Sequence, residues 1–234
     1  MRFGVSLLCL TPCWLQAALL ALVIDDMGYR PLPTEFDSLP PEISLSILPD
    51  TPYGQAVAQS AMSQQRDILI HMPMQPAGAA PLEPATLLES MSQERLQSIL
   101  RSAITQYPDA IGLNNHMGSY LTAQPEPMHW VMQVLALYNL HFLDSMTTID
   151  SLAATTARHY QIPTLQRHIF IDHEVNPDFI TRQLKVAEAA AQQHGFAIAI
   201  GHPHPLTLRI LQQQLPLLDV ELVSISTLWS SGKR

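Results

Sequence analysis

The sequence predicts an α/β fold, a parallel sheet closed into a (β/α) barrel. Apolar runs of strand length alternate with helical stretches along the whole chain, the pattern of strand–crossover–strand units. Nearly every run ends in Asp, His or Asn, and parallel strands bring such ends to one rim. The glycine-rich phosphate loops G-x-G-x-x-G and G-x-x-x-x-G-K-S/T are absent, so an open doubly wound sheet lacks its usual support.

The first strand begins at Leu19 and ends in Asp25 and Asp26, followed by Gly28. Two adjacent carboxylates repel and need a cation or a shared proton between them; the plainer alternative is that they cap the next helix. A turn or helix passes through Phe36 and Leu39 and stops at Pro40-Pro41. Ile43, Leu45 and Ile47 alternate with polar residues at strand period, up to Pro49-Asp50. Residues 54–65 read as a helix, and 67–70 as a third strand running into His71-Met72-Pro73-Met74-Gln75-Pro76. Leu96, Ile99, Leu100, Ala103 and Ile104 share one face of a helix over 92–106. A fourth strand over 110–113 ends in Asn114-Asn115-His116-Met117-Gly118-Ser119. After a helix over 127–139, the fifth strand, 140–143, ends in Asp144-Ser145. A helix over 151–159 and a sixth strand over 168–171 follow, the strand ending in Asp172-His173. Asn176-Pro177 is an N-cap and first-turn pair for a long helix that Gly195 stops. The seventh strand, 196–200, ends in Gly201-His202-Pro203-His204. A helix through Leu215 and a last strand over 220–225 complete the chain.

Composition narrows the function. The formal charge is −8, with 12 Lys and Arg in 234 residues. No basic run appears, which argues against a nucleic-acid partner, because phosphate neutralisation needs clustered cations. Ten His is a high count for a chain poor in charge, and His is the commonest metal ligand. Both cysteines, Cys9 and Cys13, lie in the first segment. That segment has Arg2, an apolar run from Phe3 to Leu15 and a small-residue exit at Ala17-Ala18, the layout of a secretory signal peptide. Residues 1–18 are therefore expected to be removed, leaving a cysteine-free domain over 19–234 in the periplasm or outside the cell, with no stable membrane span. An uncleaved N-terminal anchor is the alternative, disfavoured by the short run. Acylation of Cys13 is disfavoured by Pro12 before it. A mature chain without cysteine excludes thiolate catalysis.

Taken singly, a histidine at a strand end is more often a packing residue than a ligand. Taken together, a rim of Asp and His without Cys suits a divalent ion held by N and O donors. Neither the H-E-x-x-H helix nor the G-x-S-x-G elbow is present.

Val23-Ile24-Asp25-Asp26 resembles the T-F-D-D strand end of NodB-homology polysaccharide deacetylases of the carbohydrate esterase type. Ile24-Asp25-Asp26-Met27-Gly28, His71-Met72-Pro73-Met74, Asn114-Asn115-His116-Met117-Gly118-Ser119, Asp144-Ser145 and Gly201-His202-Pro203 together resemble the divergent polysaccharide deacetylase family, its bacterial YibQ-like group. The resemblance covers nearly all of the chain after residue 18. It implies a distorted barrel with about seven parallel strands and a metal-dependent hydrolase, with zinc as the expected ion and a glycan or peptidoglycan fragment as substrate. It also implies Asp25 as general base, Asp26 as metal ligand and His202 as general acid. Ordinary NodB-type enzymes take two ligands from one H-x-x-x-H segment, whereas here His71 has Gln75 four residues on. His71 and His116 are then the expected ligands beside Asp26. The R-x-P-Y segment of those enzymes is replaced by Asn-Asn-His-Met-Gly-Ser. Asn114, Asn115, Ser119, Asp144, Ser145, Asp172 and His204 are expected to contact substrate or to orient the site, with Asn115 as an oxyanion donor and Asp144 or Asp172 behind a histidine. Two other readings stand beside hydrolysis: a glycan-binding protein on a degenerate barrel, and a metal-dependent phosphoesterase, which would usually carry more basic residues.

Overall fold

In a computed structural model, which describes residues 17–232, strands and helices alternate as the sequence predicts. The strands are β1 (Leu19–Met27), β2 (Ser44–Ile47), β3 (Ile68–Met74), β4 (Gly112–Met117), β5 (His141–Asp144), β6 (Thr164–Gln166), β7 (Ile169–Phe170), β8 (Phe196–Gly201) and β9 (Glu221–Leu222). The helices are α1 (Gly54–Ser63), α2 (Gln93–Gln106), α3 (Pro125–Tyr138), α4 (Ala153–His159), α5 (Pro177–His194), α6 (Pro205–Gln214) and α7 (Ile225–Ser230). The sheet runs β6-β5-β4-β3-β2-β1-β8-β7, every pair parallel, and β9 pairs with the first residues of β1. This is a distorted, incompletely closed barrel. The two edge strands, β6 and β7, are consecutive in the chain, so Arg167 and His168 bridge the seam. The Arg167 amide donates to Asp144 O on one side and the His168 amide to Ile198 O on the other.

Alternation along each strand sorts the core into two layers. On β1, Leu20, Leu22 and Ile24 pack outward against the helices. Ala21 and Val23 point inward, where they meet Leu69, Leu143, Leu165, Ile198 and Ile200. Helix α7 supplies Ile225, Leu228 and Trp229 to the same inner cluster and so plugs the foot of the barrel. The inner face therefore holds apolar residues at the foot and the polar positions two residues on at the mouth: Asp25 after Val23, His71 after Leu69, Ser145 after Leu143, His202 after Ile200.

Four expectations need correction. The last strand covers only Glu221–Leu222, because the Ser224 side chain accepts the Thr227 amide and caps α7. Strand β6 was not anticipated; three residues after Pro163 are too few to show a period. The residues around Phe36 form one turn of 3-10 helix over Thr34–Asp37. Finally, β1, β3 and β4 run past their expected ends, so the Asp pair, His71 and Asn114-Asn115-His116 lie within strands rather than in loops. The expected leader falls largely on residues 1–16, which lie outside the described residues. Among the described residues no helix is long and apolar enough to cross a membrane.

Candidate metal centre

Neighbouring residues in a strand point to opposite faces, so Asp25 and Asp26 cannot share a site on a regular β1. The pairing of β1 with β2 shifts between Ile24 and Met27, three residues on β1 opposing two on β2. Asp26 sits in this bulge with φ +57°, a left-handed conformation that Asp tolerates better than most residues. The bulge turns the Asp26 carboxylate back over the mouth, beside the inward-facing Asp25.

Across the mouth, His71 pairs in register with Asn114, and His116 follows two residues later on the same face of β4. Three donor atoms meet there. Asp26 Oδ1 lies 3.2 Å from His71 Nε2 and 2.9 Å from His116 Nδ1, and the two nitrogens are 3.2 Å apart. A tetrahedral zinc site with ligands at about 2.0–2.1 Å has ligand atoms about 3.3–3.4 Å from one another, so these three atoms fit one face of such a site. Asp26 Oδ1 is enclosed and, among the described residues, lacks a hydrogen bond of proper geometry, as expected of an oxygen that answers to a cation. The His71 tautomer agrees. Its Nδ1 lies 2.8 Å from Asn114 Oδ1, which also accepts from the Ser46 hydroxyl. An amide oxygen can only accept, so His71 carries its proton on Nδ1 and presents the Nε2 lone pair to the triangle.

Asp25 lies deeper, 1% exposed. Its Oδ1 accepts from Asn114 Nδ2 at 2.8 Å, and its Oδ2 is 3.6 Å from His71 Nε2. Burial pushes its carboxyl above the usual range, and Asp26 adds to the rise against the opposing pull of His71, His202 and Asn114. Burial acts the same way on Asp26, but the facing His116 and His71 outweigh it and hold that carboxyl well below the usual range. For His71, burial favours the neutral ring, yet Asp25 and Asp26 raise its pKa on balance.

On the far side, His202 Nε2 is 3.9 Å from Asp26 Oδ2 and its Nδ1 is 2.8 Å from Asp172 Oδ1. Asp172 Oδ2 accepts from the His202 amide and the Thr207 hydroxyl, both at 2.8 Å. Burial would lower the His202 pKa, but the Asp172 carboxylate overrides it and the ring is pushed up to about 9. Phe170 stacks on His202 at 6.1 Å between centroids, and the Arg167 guanidinium lies 3.8 Å over Phe170.

Residues 22–229 match the divergent polysaccharide deacetylase family. The chain belongs to that family. The Escherichia coli (strain K12) protein YibQ is 42% identical over 215 residues, 91% of this chain and 67% of that protein. The solved structure of ATU2773 from Agrobacterium tumefaciens C58 superposes with a TM-score of 0.84 at 23% identity, covering 91% of this chain and 89% of that one. The fold is also shared with BA3943 of Bacillus anthracis, described as a CE4 family pseudoenzyme, at a TM-score of 0.52 and 12% identity, over 91% of this chain and 66% of that one.

In this family member, the structure gathers Asp25, Asp26, His71, His116, Asn114, His202 and Asp172 at one mouth, and Ser145 Oγ borders it, 3.4 Å from Asn114 Nδ2. It places others elsewhere. Asn115 faces outward, the wrong parity for an oxyanion donor, and its amide holds Met117 O and the Ser145 amide. Asp144, likewise outward, accepts from the Met146 amide and the Ser151 hydroxyl; of the two acids expected behind a histidine, Asp172 takes that place. The Ser119 hydroxyl accepts from the Ala77 amide and ties two rim loops together. His204 is exposed, with its ring 6.0 Å from that of His202. Asp50 is a surface turn residue bound to Gln106. The sequence reading missed Ser46, Thr207, Phe170 and Arg167. Ser46 was detectable as the inward position of β2; the other three reach the site only through the closing of the seam and the start of α6.

Proposed function

We propose that this chain is a metal-dependent hydrolase that removes an N- or O-linked acetyl group from a polysaccharide or peptidoglycan fragment. The observation that carries the reading is the triangle of Asp26, His71 and His116 donor atoms, flanked on one side by the buried Asp25 and on the other by the His202–Asp172 pair.

Asp26, His71 and His116 would hold the ion, zinc by its N and O donor set; when bound it supplies Lewis-acid polarisation of the acyl carbonyl and a water of lowered pKa. The remaining chemistry belongs to the chain. Asp25, whose carboxyl burial holds above its usual pKa, accepts the proton of the attacking water. Asn114 fixes the orientation of Asp25 and His71 together through the two ends of one amide. His202, charged near neutrality because Asp172 stabilises its imidazolium, gives its Nε2 proton to the departing amine or alcohol as the acyl carbon–heteroatom bond breaks. Both groups thus have raised pKa values, Asp25 through burial and His202 through Asp172, which suits a carboxylate base and an imidazolium acid.

The test is acetate release from acetylated chitooligosaccharides and peptidoglycan fragments, with zinc content measured on the same samples. Asp25→Ala and His202→Ala should each lose about 10²–10⁴-fold in turnover and keep their zinc, whereas His71→Ala should lose both. Glycan binding by wild type without acetate release from any substrate would replace hydrolysis by the binding-protein reading. We further propose that the chain is exported and its leader removed near Ala18, on the charged start, apolar run and small-residue exit. N-terminal sequencing from fractionated cells should find Ala18 or Leu19 first; Met1 on a cytosolic protein would refute it.

A further inference from the structure

The triangle uses only one oxygen of Asp26. The other, Oδ2, points across the mouth to His202 Nε2, 3.9 Å away. Beside it lies a second group of metal-binding type, Asp172, His202 and His204, each with one donor atom within 4.8 Å of a donor atom of the others. Asp172 is already committed, with one oxygen on His202 Nδ1 and the other on the His202 amide and Thr207. It therefore orients His202 rather than offering a free donor. A carboxylate on one ring nitrogen, leaving the other turned outward, is the usual support of a metal-bound histidine. His204, exposed two residues on, adds a second imidazole. Asp26, His202 and His204 all line one cavity of about 250 Å³ that opens to solvent.

We infer that this cavity is a second cation site, formed by His202 Nε2, His204 and Asp26 Oδ2, for a zinc-like transition ion, with Asp26 bridging it to the inner centre. Ligands about 2.0–2.2 Å from one tetrahedral ion stand about 3.3–3.6 Å apart, so the 3.9 Å between His202 Nε2 and Asp26 Oδ2 has to close by only a few tenths of an ångström. The exposed His204 ring closes the remaining gap by rotation of its side chain. The incoming ion takes the Nε2 lone pair of His202, and the proton held there leaves to solvent. The outer site shares its carboxylate with the inner one and has one mobile ligand, so it is the weaker of the two. It also removes the proton donor, so excess zinc inhibits. That consequence rests on the proposed hydrolase; the number of ions does not.

The test uses the full chain, equilibrium dialysis against graded free zinc and elemental analysis. Wild type should take one ion at low zinc and a second at high zinc. His204→Ala, an exposed position whose folding is checked by circular dichroism, should keep the first ion and bind the second at least tenfold more weakly. His116→Ala should lose the tight ion and keep the weaker one, which reads the two sites separately and shows whether the inner centre exists. A wild type that saturates at one ion, or a His204→Ala protein whose second ion binds as tightly as before, overturns the inference.

Discussion

Asp25 and Asp26 are adjacent in the chain, yet both carboxylates reach Nε2 of His71, at 3.6 and 3.2 Å. Only the bulge at the end of β1, with Asp26 at φ +57°, makes this possible. The conformation suits Asn as well as Asp, but not a β-branched residue. Asp26→Asn and Asp26→Val both lose the charge, so the difference between them isolates the backbone. In the metal-free protein we expect Asp26→Val to be less stable than Asp26→Asn by about 1–2 kcal/mol, measured by urea denaturation. Equal stabilities would mean that the bulge is held by its surroundings and not by this residue.

The His202–Asp172 bond has a pH signature. A ring whose pKa is raised to about 9 in the folded state, against about 6.5 in the unfolded chain, binds its proton more tightly when folded. The resulting stability is fully present below pH 6.5 and is lost as pH rises through 9. Asp172→Asn keeps the shape and removes the charge. In that variant the His202 titration, followed by NMR on the metal-free protein, should move toward 6.5, and the alkaline loss of stability should shrink with it. A His202 pKa unmoved by the substitution would show that Asp172 does not set it.

Gly201 stands where β8 meets the site. A Cβ there would lie 2.8 Å from both Cδ1 and Cγ1 of Ile171 and 3.5 Å from Asp172 Oδ2. Gly201→Ala should overpack this point against Ile171 at a cost of about 1–3 kcal/mol. Combining it with Ile171→Val, which removes the crowding methyl, should restore part of the melting temperature. An additive double variant would place the strain elsewhere.

The foot of the barrel should be acid-sensitive. Burial lowers the His141 pKa; its Nδ1 is enclosed without a hydrogen-bond partner among the described residues, and its ring packs 4.7 Å from that of Trp229. The unfolded chain takes up this proton first, so stability falls as pH drops below about 6.5. His141→Phe keeps an aromatic ring against Trp229 and cannot titrate. Denaturation at pH 7.5, 6.5 and 5.5 should show the wild type losing ground to the variant at each step; parallel curves would remove His141 from the account.

Alternation of strand and helix, the capped start of α5 at Asn176, and the line of polar residues at strand ends were all legible in the sequence, because they depend on local periodicity and on the chemistry of single residues. So was the grouping of Asp25, Asp26, His71, His116 and His202, once a parallel barrel was assumed. The sequence could not decide which side of a strand each polar residue takes, because that depends on where the strand ends and where it bulges. Strands β3 and β4 extend through His71 and His116 because each finds a hydrogen-bonded neighbour. Parity then sends Asn114 into the site and Asn115 out of it, Ser145 in and Asp144 out. The one exception, Asp26, comes from a register slip against β2, a strand some twenty residues away in the chain. Three-residue β6 and the seam carrying Arg167 and Phe170 have no periodicity to read; they exist because β5 and β8 present unpaired edges to them. The residue types of the centre were thus written locally, and their convergence was decided by pairing between distant strands.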